Sequence, residues 1–489
     1  MWKKLDNFER KVFIISLLIH LLTAYFSVGY HQPDEYFQVY EFAAWKLGFA
    51  PAAELPWEFG AQIRGTIQPL LVYAISQFLL VFNAFQPAWV ALFFRTISAL
   101  GAWWASILLY DIAKLNLATQ KLDRFLLLSS VFLWFLTYQS VRFSSENWSA
   151  LFLIFGLYLL LKSKSKLNLA YLMAGVLFGI SFLFRFQIAF ALLGLGAWLL
   201  FIQKTTYRLL FNLIFGGILS LLLGLLIDRW FYGNWVFTPY NYFVSNILDG
   251  NAANFGVTPW YDYFWQIFLT AVPPISIAIL FLAAWAMVKN PKNIFVWIVA
   301  TFFLAHSSVG HKELRFLFPI AIFIPIMMCL ALKDNLVYNF IFRYKKWAYA
   351  IIVVPNFILF LVVTFRPADE KIIFYDYVYQ QSKCGKLLML FEKSNPFDAL
   401  NLKIHFQKHQ NTVVKKLTSN DDLCRNNADY SAVMLFKMGV NAPEIAICPG
   451  VVGKLVYRNI PLWLTYFNFN DWVGRSNVWS LYLVTPSLG

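Results

Sequence analysis

Charge is what this chain has least of: 13% of its 489 residues are Asp, Glu, Lys or Arg, against 60% hydrophobic and 19% aromatic. One aqueous globular core cannot bury that much apolar surface, so lipid has to be its solvent. Cysteine is scarcer still, and its 4 residues show no metal-ligand spacing. Cys329 lies inside an apolar run, whereas Cys384, Cys424 and Cys448 fall in a polar tail where one disulfide can form if the tail is external. No internal repeat or low-complexity tract is present.

What the chain does have is a series of apolar runs of about 15 to 25 residues, roughly the length an α-helix needs to cross ~30 Å of hydrocarbon. The first, 12–29, follows Lys3, Lys4, Arg10 and Lys11 as a signal peptide would. Its length and the lack of a small-x-small cleavage site favour an uncleaved span. Further helices are expected over 66–84, 89–112, 125–139, 147–161, 169–184, 187–203, 209–227, 263–288, 294–307, 316–332 and 347–365, for about eleven to thirteen spans.

The net charge of +15 does not point to nucleic acid, because Lys162/Lys164/Lys166, Lys204/Arg208, Lys289/Lys292 and Arg343/Lys345/Lys346 lie in connections that strict alternation makes cytoplasmic. The loops 30–64, 228–262 and 306–315 then face outward together. The same alternation strands Lys114, Lys121 and Arg124 on the wrong side, so one of the two helices between 66 and 112 is re-entrant or misjudged. After about Phe365 the composition turns polar, with strand-like stretches such as Ala432 to Phe436. The expected fold is therefore an all-α polytopic membrane domain, 1–365, followed by a small mixed α/β soluble domain, 366–489, on the non-cytoplasmic face.

Three polar stretches carry candidate chemistry. In His31-Gln32-Pro33-Asp34-Glu35-Tyr36-Phe37-Gln38 an acid pair sits beside the membrane, with Glu41 shortly after. Such carboxylates must be hydrated, paired or used. One of them suits a base that removes a hydroxyl proton in glycosyl transfer, although capping of a helix start explains the pair as well. Farther along that loop Glu58 and Arg64 can form an interfacial ion pair.

Asp228-Arg229-Trp230-Phe231-Tyr232-Gly233 opens the second stretch, which continues through Thr238-Pro239-Tyr240-Asn241 and Thr258-Pro259-Trp260. Aromatic faces stack on sugar rings and amides read their hydroxyls, but an interfacial aromatic belt has a similar composition. In the third, His311-Lys312-Glu313-Leu314-Arg315-Phe316, Lys312 and Arg315 would share one face of a helix starting there. Two cations at a helix N-terminus can receive a phosphate, with Glu313 holding them in place. A charged hairpin cap is the alternative.

Together His-x-Pro-Asp-Glu-x-x-Gln at 31–38, Trp-Glu-Phe at 57–59, Asp-Arg-x-Phe-Tyr-Gly at 228–233 and His-Lys-Glu-x-Arg-Phe at 311–316 resemble glycosyltransferase family 22, and Phe237-Thr238-Pro239-Tyr240-Asn241 followed by Thr258-Pro259-Trp260 resembles its GPI mannosyltransferase branch most. The resemblance implies a GT-C fold and a metal-independent, cofactor-free, inverting transfer of mannose. The donor would be dolichyl- or polyprenyl-phosphate-mannose and the acceptor a glycolipid or lipid-linked glycan, with membrane lipid as surroundings. It makes Asp34 the preferred base and Glu35 an assisting or alternative carboxylate. His311, Lys312 and Arg315 would recognise donor phosphate, and Asp228 and Arg229 would position substrate. Glu58, Arg64, Tyr240, Asn241, Trp260 and Glu313 complete the candidate set.

Where the family pattern has Arg-Thr-x-Ser/Thr-Asn-x-x-Glu, this chain has Arg142-Phe143-Ser144-Ser145-Glu146-Asn147-Trp148-Ser149, which points to a different acceptor. The location implied is the endoplasmic reticulum membrane in a eukaryote or the inner membrane in a bacterium, with chemistry on the luminal or periplasmic face. A transporter or flippase for a lipid-linked sugar is the competing class.

Overall fold

The computed structural model describes Trp2 and residues 5–117, 120–162, 168–418, 429–439, 442–476 and 478–486. The chain divides into two compact units, the first comprising Met1–Ser27, Glu58–Leu71 and Leu92–Arg366 and the second Val28–Trp57, Val72–Ala91 and Pro367–Gly489.

The first unit is helical. Among the described residues three helices are long and apolar enough to cross a membrane: Pro87–Leu115, Tyr207–Tyr232 and Lys345–Phe365. Three pairs qualify only when joined across bends of 96°, 118° and 64°, which raises the count to six. That is fewer than the eleven to thirteen spans expected, and the physical reasons are breakage and shortness, since Ile67–Val81, Asn168–Phe184 and Phe186–Ile202 are apolar but only 10–17 residues long. Apolar runs that read as single spans are interrupted: 263–288 becomes Asp262–Thr270 and Ile275–Lys289, with Pro273-Pro274 between them. Likewise 316–332 becomes Phe318–Ala321 and Ile324–Leu332, each opening on a proline. The Asn7–Phe26 helix has the length, but it begins with Glu9, Arg10 and Lys11.

Close approach of backbones holds two of these helices together. A Cβ on Gly175 of Asn168–Phe184 would overlap the Leu213 carbonyl of Tyr207–Tyr232, and one on Gly216 would overlap the Leu172 carbonyl. Gly179 and Ser220 continue the contact one turn on, and the Ser220 hydroxyl donates to the Val176 carbonyl at 2.8 Å. Small residues four apart are what lets membrane helices pack where lipid supplies no hydrophobic drive.

The alternation problem also resolves. Lys114 Nζ lies 2.7 Å from Glu9 and 3.1 Å from Asp123, while Arg95 donates to the Ala24 carbonyl at 2.8 Å. Pro87–Leu117 therefore runs antiparallel to Asn7–Phe26. This places Lys114, Lys121 and Arg124 at the N-terminal end of the first helix rather than opposite it. By parity the Ile67–Val81 helix between them is not a crossing, and its 15 residues reach about 22 Å, short of the ~30 Å needed.

The second unit is mixed α/β. Its strands are β1 (Leu387–Phe391), β2 (Asp398–Ala399), β3 (Leu402–Lys403), β4 (Thr412–Lys416), β5 (Ala432–Met438), β6 (Glu444–Cys448), β7 (Val451–Arg458) and β8 (Trp479–Pro486). Six form one sheet in the order β4-β1-β5-β8-β7-β6, with β1 parallel to both neighbours and the remaining pairs antiparallel. Helix Lys371–Lys383 covers one face through Phe374, whose ring lies 5.5 Å from Phe436 and 5.1 Å from Trp479. Cys448 is disulfide-bonded, Cys384 carries a free thiol, and Cys424 lies outside the described residues.

Residues 28–57 belong to this unit through specific bonds. The Ala368 and Asp369 N–H groups both donate to the Val28 carbonyl, at 2.7 and 3.1 Å. Glu41 Oε1 accepts from the backbone N–H of His405 at 2.9 Å and of Phe406 at 3.0 Å. Glu54 meets Lys403 Nζ at 2.5 Å and His405 Nε2 at 2.7 Å.

Candidate functional site

In the second unit Pro33 starts a short helix, Pro33–Phe37, whose first turn holds Asp34 and Glu35. Neither acid is its N-cap: that position is Gln32, which makes no side-chain capping bond. Glu35 Oε2 instead accepts the His31 backbone N–H at 3.2 Å. Both acids are half-buried, while the following Tyr36, Phe37 and Tyr40 are buried. Tyr36 stacks on Tyr40 at 5.8 Å and Tyr40 packs on Phe406 at 5.2 Å. The acid pair thus rides on an aromatic footing, and Glu41 ties that footing to the 405–406 backbone.

In the first unit the predicted residues form two local groups. One surrounds Asp228 near the end of Tyr207–Tyr232. Its Oδ1 accepts from the Thr66 N–H at 2.9 Å and hydroxyl at 2.6 Å, and its Oδ2 accepts from the Thr238 hydroxyl at 2.7 Å. Asp228 is buried, so its charge is spent on bracing the 66 and 238 loops. Arg229 turns the other way, donating to the Gly233 carbonyl and lying 5.6 Å over Trp235. Arg64 approaches Glu58 at 3.8 Å and lies 5.7 Å over Tyr242, and Asn241 donates to the Gln62 carbonyl at 3.3 Å. Tyr240 and Trp260 are exposed, as stacking platforms or interfacial anchors would be.

The second group is the 309–316 segment. Glu313 accepts from Arg315 Nε at 2.7 Å and Nη2 at 3.1 Å, and His311 Nε2 lies 3.0 Å from the same carboxylate. A bidentate carboxylate fixes the plane of the guanidinium, which orients the remaining N–H groups. Lys312 departs from expectation. The backbone is extended up to Glu313 and helical only from Leu314, so Lys312 and Arg315 do not share a helix face. Lys312 Nζ donates to the carbonyls of Thr258 at 2.9 Å, Val309 at 2.5 Å and Gly310 at 3.4 Å. Burial pulls its pKa below the ordinary lysine value, with the Asp262 charge opposing. It stitches the 258 and 310 loops together, a link doubled by the Thr258 N–H to the Gly310 carbonyl at 3.0 Å.

Sequence reading passed over Arg185. Its Nη1 lies 2.7 Å from Glu146 Oε1, and both side chains are almost fully buried. The signal was available: a lone arginine between two apolar runs is a functional candidate by default. Its acid sits 39 residues away in the stretch that departs from the family pattern. Asn147 of that stretch is buried and donates to the Arg142 carbonyl at 2.8 Å, so the Asn-Trp-Ser sequon is closed to modification in this fold.

The pattern of the Alg9-like mannosyltransferase family matches residues 11–383. GPI alpha-1,2-mannosyltransferase 3 of Xenopus laevis is 26% identical over 333 residues, 66% of this chain and 59% of its own length. The Bos taurus counterpart is 27% identical over 372 residues, 73% of this chain and 63% of its own length. The chain thus spans roughly six-tenths of these relatives. Among solved structures, ArnT from Cupriavidus metallidurans bound to undecaprenyl phosphate has a TM-score of 0.48 at 13% identity, covering 87% of this chain and 92% of that one. The Archaeoglobus fulgidus oligosaccharyltransferase has a TM-score of 0.44 at 15% identity, covering 76% of this chain and 55% of that one.

Proposed function

The chain belongs to the Alg9-like mannosyltransferase family, and we propose that it moves mannose from a polyprenyl-phosphate-mannose donor to a glycolipid or lipid-linked glycan acceptor, inverting the anomeric carbon. The observation that carries this reading is the Glu313 clamp: the Arg315 guanidinium held bidentate on one carboxylate at 3.1 Å or less, with the His311 ring braced between that carboxylate and the Gly256 carbonyl. A preset guanidinium of this kind stabilises the charge that develops on a departing lipid phosphate. The relatives' names, GPI mannosyltransferases, favour a glycolipid acceptor.

In the proposed step the acceptor hydroxyl gives its proton to Asp34 while its oxygen bonds to the sugar C1. The C1–O bond to phosphate breaks, and the electron pair leaves with the lipid phosphate, met by Arg315 and His311. Glu35 assists Asp34, and Lys312 holds the 258 and 310 loops beside the Glu313 clamp. The non-cytoplasmic face is assigned to the chemistry, with residues 366–489 on that side.

Purified protein in detergent, given labelled polyprenyl-phosphate-mannose and a glycolipid acceptor, is expected to transfer label. Transport alone cannot do this in micelles. Asp34→Asn is expected to lower turnover by about 10²–10⁴-fold with donor binding retained. Near-normal turnover in that variant would remove Asp34 from the mechanism, and absence of transfer by wild type with any member of a glycolipid panel would remove the reading itself.

A further inference from the structure

In a membrane-embedded region no bulk water meets a stray donor or acceptor, so unmet polar atoms there demand an explanation. Arg185 has two. It stands where helix Asn168–Phe184 gives way to extended backbone (φ −151°, ψ 110°). One side of its guanidinium is answered, Nη1 donating to Glu146 at 2.7 Å and to the Ser145 hydroxyl at 3.3 Å. Nε and Nη2 are buried and have no hydrogen-bond partner among the described residues.

Two neighbours share this condition. The Tyr263 hydroxyl is buried; the Glu313 backbone N–H approaches its oxygen without completing a hydrogen bond, and its proton has no acceptor. His306 Nδ1 lies 2.9 Å from the Phe302 carbonyl. A carbonyl only accepts, so Nδ1 carries the hydrogen and the neutral ring presents a lone pair at Nε2, which is buried and unmet. The His306 ring lies 5.7 Å from that of Phe190, on the segment that follows Arg185, and the Tyr263 ring lies 6.2 Å from that of Phe303, one turn before His306, so the three belong to one neighbourhood inside the first unit.

The mix of groups selects the ligand chemistry. Arg185 and Tyr263 offer donors, and His306 offers an acceptor. Glu146 already balances the Arg185 charge, so a second full anion gains little neutralisation, and an acceptor-only oxyanion has nothing to give His306. A hydroxyl both accepts and donates, and adjacent hydroxyls on a sugar ring match the set. Arg185 and Arg315 also share the Phe316 ring, at 5.1 and 5.4 Å from its centroid. In a sugar 1-phosphate the hydroxyl-bearing ring adjoins the phosphate in the same way.

We propose that Arg185, Tyr263 and His306 form the subsite that reads hydroxyls of the transferred sugar. This rests on the mannosyl-transfer reading above and adds the residues that recognise the sugar rather than its phosphate.

The test compares binding of polyprenyl-phosphate-mannose with binding of bare polyprenyl phosphate to the full chain. Tyr263→Phe removes one oxygen without changing shape, and Arg185→Lys keeps a cation for Glu146 while removing the unmet guanidinium donors. Each is expected to weaken the mannosyl lipid about tenfold and to leave the bare lipid unchanged. Unchanged Kd for both lipids in Tyr263→Phe, with unchanged or raised thermal stability, would show the hydroxyl to be structural only. Equal weakening of both lipids would make this an anion site. Either result overturns the proposal. If wild type transfers mannose while the variants bind as wild type does, the subsite fails and the transfer reading stands. Selective loss of mannosyl-lipid binding in a protein that transfers nothing would leave the subsite standing and sink the transfer reading.

Discussion

At the scale of single residues, several polar side chains among the described residues are committed to backbone rather than to one another. Lys312 serves three carbonyls and Glu41 two N–H groups. Glu41 has a pH consequence. Burial pushes its carboxyl up to about 7 from 4.5, against the lowering effect of the nearby Tyr36 hydroxyl and of the N–H bonds from Phe406 and His405. Below pH ~4.5 it is protonated folded or unfolded, and its contribution is fully present. Between there and pH ~7 the folded form binds the extra proton, so stability falls as pH rises, by about 3 kcal/mol in all. His405, lowered chiefly by burial, and Glu54, lowered chiefly by its bond to Lys403, also titrate nearby. Glu41→Gln isolates the one group. Thermal melts from pH 5 to 8 are expected to show wild type losing stability relative to the variant as pH rises, and parallel profiles would sink the assignment. The acid pair at 34–35 and the charged 311–315 segment were legible because their residues adjoin in sequence. Arg185 with Glu146, and Glu41 with the 405–406 backbone, were not, because each partnership is made by folding.

At the scale of elements, the existence of helices was legible and their continuity was not. The run 209–227 appears as Tyr207–Tyr232 and 169–184 as Asn168–Phe184, since an unbroken apolar stretch in lipid has to close its own backbone bonds. Apolarity says nothing about direction, so the breaks before Ile275 and Ile324 had to be read from Pro274 and Pro325. The glycine contact between these two helices was likewise hidden, because Gly175 and Gly216 acquire meaning only when the helices face each other. Gly175→Ala would drive its methyl into the Leu213 carbonyl and is expected to cost about 1–3 kcal/mol, read as a lowered melting temperature in detergent. Gly196, with open space at its Cβ position, is the control whose alanine variant should melt as wild type does.

At the scale of the whole molecule, topology turns on one small cluster of charges. Counting apolar runs makes each an alternation and separates Lys114, Lys121 and Arg124 from the N-terminus. Glu9 overrules the count, because its carboxylate at 2.7 Å from Lys114 Nζ and 2.6 Å from the Tyr110 hydroxyl cannot be satisfied across a bilayer. Positive charge then gathers where the positive-inside rule wants it, with Arg10 and Lys11 beside Lys121 and Arg124 at one end of the first unit. The expectation is direct: in a chain with its native cysteines replaced, Lys11→Cys and Lys121→Cys should react with a membrane-impermeant maleimide from the same side of sealed vesicles. Asn254→Cys, in the 228–262 loop assigned to the outer face, should react from the other. Opposite labelling of the first two positions would mean that Ile67–Val81 crosses after all, and the antiparallel pairing of Asn7–Phe26 with Pro87–Leu117 would have to be abandoned.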